Sequence, residues 1–128
     1  MGVIKWDEIP RTDETVGKRK GKMRRVFCTE GLTNVRTEVE AGSKLIENPH
    51  RHPEEQVMFM LEGKLRLRIG DEEGWVEPGK MAYFPPNVYH GGVEIGPEGA
   101  VYLQILSPGK VDYLPGFFGA TKTEFKQT

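Results

Sequence analysis

The sequence predicts an all-β domain of sandwich or barrel type, on three observations. Short runs of alternating apolar and polar residues recur along the middle of the chain, at intervals of about 8–12 residues. Gly and Pro, at 16 and 9 of the 128 residues, punctuate those runs and force frequent turns. No segment carries a long helical period bounded by caps. The length suits one domain with a buried core.

The elements follow in chain order. A short helix is allowed near Trp6 to Ile9. From Met23 to Val39 the pattern is strand-like, broken at Gly31, with Cys28 reading as a buried strand residue. Ala41-Gly42-Ser43 ends it. Val57 to Leu61 is a compact apolar run that Glu62-Gly63 is expected to stop. Lys64 to Ile69 alternates strictly, which puts Leu65, Leu67 and Ile69 on one face and the basic residues on the other. Gly70 to Gly74 reads as a hairpin loop returning to Trp75-Val76-Glu77. Pro78-Gly79 and Pro85-Pro86-Asn87 read as turns around a strand from Met81 to Phe84. A last strand is expected over Ala100 to Leu106, and the tail beyond Ser107-Pro108-Gly109 has no clear pattern.

Composition removes several function classes. A net charge of −1 gives no electrostatic reason for nucleic acid or an anionic membrane as partner. The basic stretch Lys18 to Arg25 has no aromatic residue within it, so it reads as a solvated loop entering a strand, with capture of an anionic substrate as the alternative. Cys28 is the single cysteine, so no intrachain disulfide is available. No stretch approaches the roughly 20 apolar residues of a membrane span. MGVIKWDEIP lacks the apolar run of a secretory signal. The expectation is a cytoplasmic protein.

All three histidines fall in one pattern. His50 and His52 stand two apart in Asn48-Pro49-His50-Arg51-His52-Pro53, which in an extended segment places both imidazoles on one face. Neutral imidazole is the commonest nitrogen donor for first-row divalent metals. Gln56 follows at an even offset, and His90 returns after two hairpins. Read from spacing alone, the pair is either a metal site or two ordinary strand histidines. Glu54 and Glu55, beside them, read as solvated carboxylates.

The segment from Gly42 to His90 resembles the cupin superfamily. His50-Arg51-His52, Pro53-Glu54-Glu55, Gln56 and then six residues to Gly63 match the spacing of its first motif. Gly79, five residues, Pro85-Pro86-Asn87, Val88-Tyr89 and His90 match its second. The resemblance implies a cupin double-stranded β-helix, or jelly-roll-like barrel, over residues 31–115. Residues 1–30 would form a strand or arm region packing on it, and 116–128 a tail. It also implies one divalent transition metal, Zn, Ni, Fe or Mn, held by His50, His52, Gln56 and His90, and a homodimer. Three departures stand out. Gln56 replaces the usual Glu, Asn87 replaces a turn Gly, and Glu94 stands where the motif ends in Asn.

HPEEQ and the ending Gln104 to Leu114 are similar to small single-domain cupins that process unsaturated uronates, the KdgF type. Gln104 aligns with their catalytic Asp and Leu106 with a nearby Phe. An amide cannot take a proton as a carboxylate can, so Gln104 is expected to orient substrate or a water. Tyr102 and Leu106 share its parity and Met58 shares that of Gln56, which makes these three candidate substrate contacts. Met60 has the same parity, although either Met could simply pack the core. The implied function is a metal-dependent enzyme acting on a small oxygen-rich substrate, a sugar acid or keto/enol compound, by isomerase- or lyase-type chemistry. An iron dioxygenase and a non-catalytic metal-anchored binding or sensor module are the alternatives.

Overall fold

Period-two burial runs through the strands and decides which side chains reach the interior. In β3 (Thr33–Val39), Thr33, Val35, Thr37 and Val39 are buried while the residues between them are half-exposed. The structure, a computed structural model, describes residues 2–14, 21–43, 49–114, 117 and 119–127. Among them the other strands are β1 (Arg11–Glu14), β2 (Lys22–Cys28), β4 (His50–Arg51), β5 (Glu55–Ile69), β6 (Glu72–Val76), β7 (Met81–Phe84), β8 (His90–Ser107) and β9 (Glu124–Phe125). Two three-residue 3-10 turns, Trp6–Glu8 and Val111–Tyr113, are the helical material among the described residues.

The strands pair antiparallel, in the order β1-β2-β3-β8-β4-β9, with β5 pairing β6, β7 and β8. Among the described residues, hydrogen bonds do not close this sheet into a ring. Within residues 1–30, the described strands join it directly, since β2 pairs with β3 along its length and β1 pairs with β2. The tail returns as well, through β9 on β4. The run Lys18-Arg19-Lys20 lies outside the described residues, whereas Lys22, Arg24 and Arg25 belong to β2.

Two expected breaks are not breaks. Glu62-Gly63 does not stop a strand; it is an irregularity within the fifteen residues of β5, where the register against β8 shifts. The physical reason is parity. Met58 and Met60 are buried at even positions, Leu65 and Leu67 at odd ones, and only an irregular step between them lets both pairs face inward. Likewise β8 begins at His90 rather than Ala100, because its Gly-rich first half pairs with Leu65–Ile69 of β5. The loop expected over Gly70 to Gly74 shrinks to Gly70-Asp71, with Glu72 already in β6. Cys28, expected to be buried, is half-buried in β2.

Gly63 shows why the irregular step needs glycine. Its φ is +71°, and a Cβ there would collide with the carbonyl oxygen of Gly99 on β8. Gly63→Ala is therefore expected to destabilise the fold by about 2–3 kcal/mol, from left-handed strain plus overpacking against backbone. Urea unfolding reads this directly, and an unchanged midpoint would refute the account.

The main core gathers Met58, Met60, Leu65, Leu67, Phe84 and Tyr102, among others. A smaller cluster holds Val26, Val35 and Leu106, with Tyr113 packed against it.

Candidate metal centre

The three histidines meet where β4, the start of β8 and the start of β5 come together. His50 pairs with His90 across β4 and β8, and with Phe125 of β9 on its other side. Pro49 and Pro53 flank the short β4 segment, so the chain stays extended through His50 and His52. The second turn supports the first segment: Asn87 adopts φ 61°, and its N–H donates to the His52 carbonyl oxygen at 2.8 Å. Asn thus performs the left-handed turn for which the motif ordinarily uses Gly.

The ring centroids of His50 and His90 are 4.6 Å apart, those of His52 and His90 4.9 Å, and those of His50 and His52 6.0 Å. One nitrogen from each ring can be chosen so that all lie within 4.8 Å of one another. Donors about 2.1 Å from a shared ion are at most about 4.2 Å apart, so small ring shifts suffice.

The tautomers are set by the backbone. His52 Nδ1 donates to the Glu54 carbonyl oxygen at 3.0 Å, and His90 Nδ1 donates to that of Val88 at 3.1 Å. A carbonyl oxygen only accepts, so in each neutral ring Nε2 keeps its lone pair. Burial pushes the His52 pKa down, Lys110 adds to the effect, and the bond to Glu54 and the nearby Gln56 amide oppose it; the net shift is downward. The ring is therefore neutral at pH 7, as a ligand must be. His52 Nε2 and Gln56 Oε1 are both buried and have no hydrogen-bond partner among the described residues. A nitrogen lone pair and an amide oxygen left in this condition are costly unless an electron acceptor satisfies them, and a metal ion fits that role. The Phe84 ring, fully buried, lies 4.7 Å from that of His90 and braces it.

Around this centre lies a cavity of about 370 Å³. His50, Gln56 and His90 stand on its wall, together with Met58, Tyr102 and Gln104. Leu106 does not: it is 0% exposed in the cluster with Val26 and Val35, outside the cavity lining. Val26 and Val35, with Tyr113 packed against them, cover Leu106 and close it off from the space. Met60 goes to the core. Glu54, expected in solvent, is buried at 8% exposure, with Oε1 3.5 Å from His52 Nδ1. A carboxylate behind a ligand imidazole makes the ring a better donor. Glu55 is exposed and accepts a bond from the Tyr83 hydroxyl. Glu94 is exposed too, paired with Arg66.

Sequence reasoning missed the tail. Thr121, Thr123 and Phe125 line the cavity, and their two-residue alternation was a readable signal. Two ties hold the segment. The Arg51 guanidinium donates to Glu124 Oε2 at 2.8 and 3.0 Å. Lys110, 1% exposed, bridges Asp112 and Thr123 through its ammonium.

Three imidazoles and one amide would make a neutral donor set, with which a bound divalent ion would keep its full charge. Gln56→Glu is accordingly expected to tighten zinc binding by at least about tenfold. Competition against a chromogenic chelator measures it, and unchanged affinity would place Gln56 outside the ligand set.

A family model described as a cupin domain matches residues 35–106. No curated protein matches the chain. Among solved structures it is similar to an RmlC-like cupin from Shewanella frigidimarina NCIMB 400, at 22% identity and TM-score 0.73, covering 89% of this chain and 96% of that one. It is similar to KdgF from Halomonas sp. at 24% identity and TM-score 0.69, covering 84% and 95%. A tryptophan-to-phenylalanine variant of the oxalate decarboxylase of B. subtilis matches at 23% identity and TM-score 0.72, where 96% of this chain spans 32% of the other. At these identities the structural likeness speaks for the fold.

Proposed function

Because the chain belongs to the cupin domain family, we propose that it is a metal-dependent enzyme acting on a small sugar acid or keto/enol compound by isomerase- or lyase-type chemistry. The observation that supports this best is the convergence of His50, His52, Gln56 and His90 beside a cavity large enough for a small molecule. These four side chains would hold the metal, through imidazole nitrogens and the Gln56 amide oxygen. The ion would supply Lewis-acid polarisation of substrate oxygens and stabilise an enolate-like anion. Gln104, on the same wall, offers an amide donor and acceptor that fix the substrate's orientation. Met58 and Tyr102 shape the space beside it and exclude water from the reacting end. KdgF and oxalate decarboxylase are enzymes by name with this fold, in keeping with the reading.

The test is turnover of unsaturated uronates and small diketones by the zinc-, nickel-, manganese- and iron-loaded chain, with and without oxygen. Anaerobic turnover is the expected result. Consumption only in air, with iron, would replace the reading by a dioxygenase, and binding without turnover by a sensor module.

The reading includes a homodimer working in the cytoplasm. The outer face of β5 and β7 carries Phe59, Leu61, Met81 and Tyr83, all exposed, with Val57 half-buried between them. These side chains carry no charge to oppose a second copy of the same face. Sedimentation velocity is expected to give twice the chain mass.

A further inference from the structure

The tail returns to the ligand-bearing strand itself. In β9, Phe125 is the cross-strand partner of His50 and Glu124 that of Arg51, and the Lys126 N–H donates to the Pro49 carbonyl oxygen at 2.8 Å. On its other side β4 pairs with β8 at one position, His50 opposite His90. His50 is thus the rung that joins the tail to the rest of the sheet. The Phe125 ring lies 5.8 Å from the His50 ring, centroid to centroid. Thr121 and Phe125 are exposed although both line the cavity, so this segment forms part of its rim.

Two anchors of unequal strength hold the rim. The inner one joins Thr123 to the buried Lys110 ammonium and Thr121 to the Asp112 carboxylate. The outer one, on β4, is weak by itself. A two-residue ladder is far shorter than any that stands alone. The Arg51–Glu124 pair is exposed to solvent, and such pairs contribute little. Phe125 keeps 47% of its surface in water. The outer anchor therefore depends on how firmly His50 is held. Coordination of His50 would fix its ring in one rotamer and tie it, through a shared ion, to His52 and His90. Phe125 would then pack on a ring that is already ordered, and docking the tail would cost less conformational entropy.

We propose that metal occupancy and tail docking are coupled: coordination of His50 fastens residues 121–126 onto β4, which completes the cavity wall with Thr121, Thr123 and Phe125. The inference rests on the metal reading of the three histidines and on no particular reaction. The chain then presents a finished small-molecule site only when its centre is loaded. Linkage makes the coupling reciprocal, so the docked tail tightens metal binding by the same factor by which metal favours docking.

The experiment is amide hydrogen exchange on the full chain, zinc-free and zinc-loaded, resolved by NMR. The Lys126 N–H is expected to exchange at least about tenfold more slowly with zinc, within the ordinary range of such couplings. The Lys80 N–H, bonded to the Glu77 carbonyl oxygen in the turn between β6 and β7, should keep its rate. Reciprocally, Phe125→Ala combined with Glu124→Gln should weaken zinc binding, read by chelator competition, by about the factor seen at Lys126. Phe125→Tyr should retain most of the affinity. The replaced side chains are exposed, so the fold should persist in these variants. Equal Lys126 exchange in the two forms, equal slowing of Lys126 and Lys80, or unchanged zinc affinity in the double variant would overturn the proposal. Zinc uptake with no effect on the tail removes the coupling and leaves the metal centre standing. Absence of stoichiometric zinc uptake by the unmutated chain removes both.

Discussion

His52→Ala is expected to weaken zinc binding by at least about 100-fold, and the chain should then emerge from desalting with no stoichiometric metal. Loss of an outer-shell partner alone costs about 10–100-fold, so removing a ligand sets that range as a floor. Three features make His52 the sharpest choice. Its ring is 2% exposed, its Nδ1 is committed to the Glu54 carbonyl, and its Nε2 has no hydrogen bond among the described residues. Truncation would leave Gln56 Oε1 facing the space without its co-ligand, and turnover should fall with the metal. The measurement is elemental analysis of protein dialysed against a mild chelator, beside the unmutated chain. Full occupancy in the variant, with its circular dichroism unchanged, would show that the imidazole is a packing residue.

Lys110→Met is expected to destabilise the protein by about 3–5 kcal/mol, the range for removing one member of a buried ion pair. The ammonium of this 1% exposed residue reaches Asp112 at 2.7 Å and Thr123 at 2.6 Å, and it lies 5.0 Å from the Tyr113 ring centroid. Met matches the stem but leaves the Asp112 carboxylate, itself largely covered, without its cation. The damage should be felt at the tail first, since Thr121 and Thr123 hang on this pair. Burial raises the Asp112 pKa, but the bonds from Lys110 and Thr121 outweigh it and hold the carboxyl below its ordinary value of 3.8. A depressed carboxyl contributes stability that is fully present above its unfolded value and fades as pH falls through the folded one. In the unmutated chain this contribution is therefore lost only below about pH 4, whereas in Lys110→Met it should already be missing at pH 7. Thermal melts at pH 7 and pH 3 read both parts. A variant as stable as the parent at pH 7 would mean that the pair contributes nothing net.

The centre itself was legible because its signals are local. His50, His52 and Gln56 lie within seven residues, and period two puts the two histidines on one side, although a bend at Pro53 and Glu54 separates them from Gln56. The motif spacing then supplied His90, which no local rule could join to them. Strand order was less legible. Glu62-Gly63 and Gly91 to Gly99 look like breaks when only propensity is consulted. In the structure, pairing between β5 and β8 overrides it, because their inner faces bury Met58, Met60, Leu65 and Leu67 only if both strands run on through those glycines.

By itself, then, the sequence determined the all-β class, the alternation of the strand from Lys64 to Ile69 and the candidate set of metal ligands. These follow from alternation, turn chemistry and ligand type, all of which act over a few residues. Tertiary structure alone decided that Lys22, Arg24 and the tail residues Thr121, Thr123 and Phe125 share one cavity with His50 and His90. It also decided that Leu106 does not join them and that Glu54 is buried behind His52. The reason is register. Which rung meets which across β2, β3, β8 and β5 depends on irregular steps and on contacts between segments far apart in the chain, and no short window of residues encodes that sum.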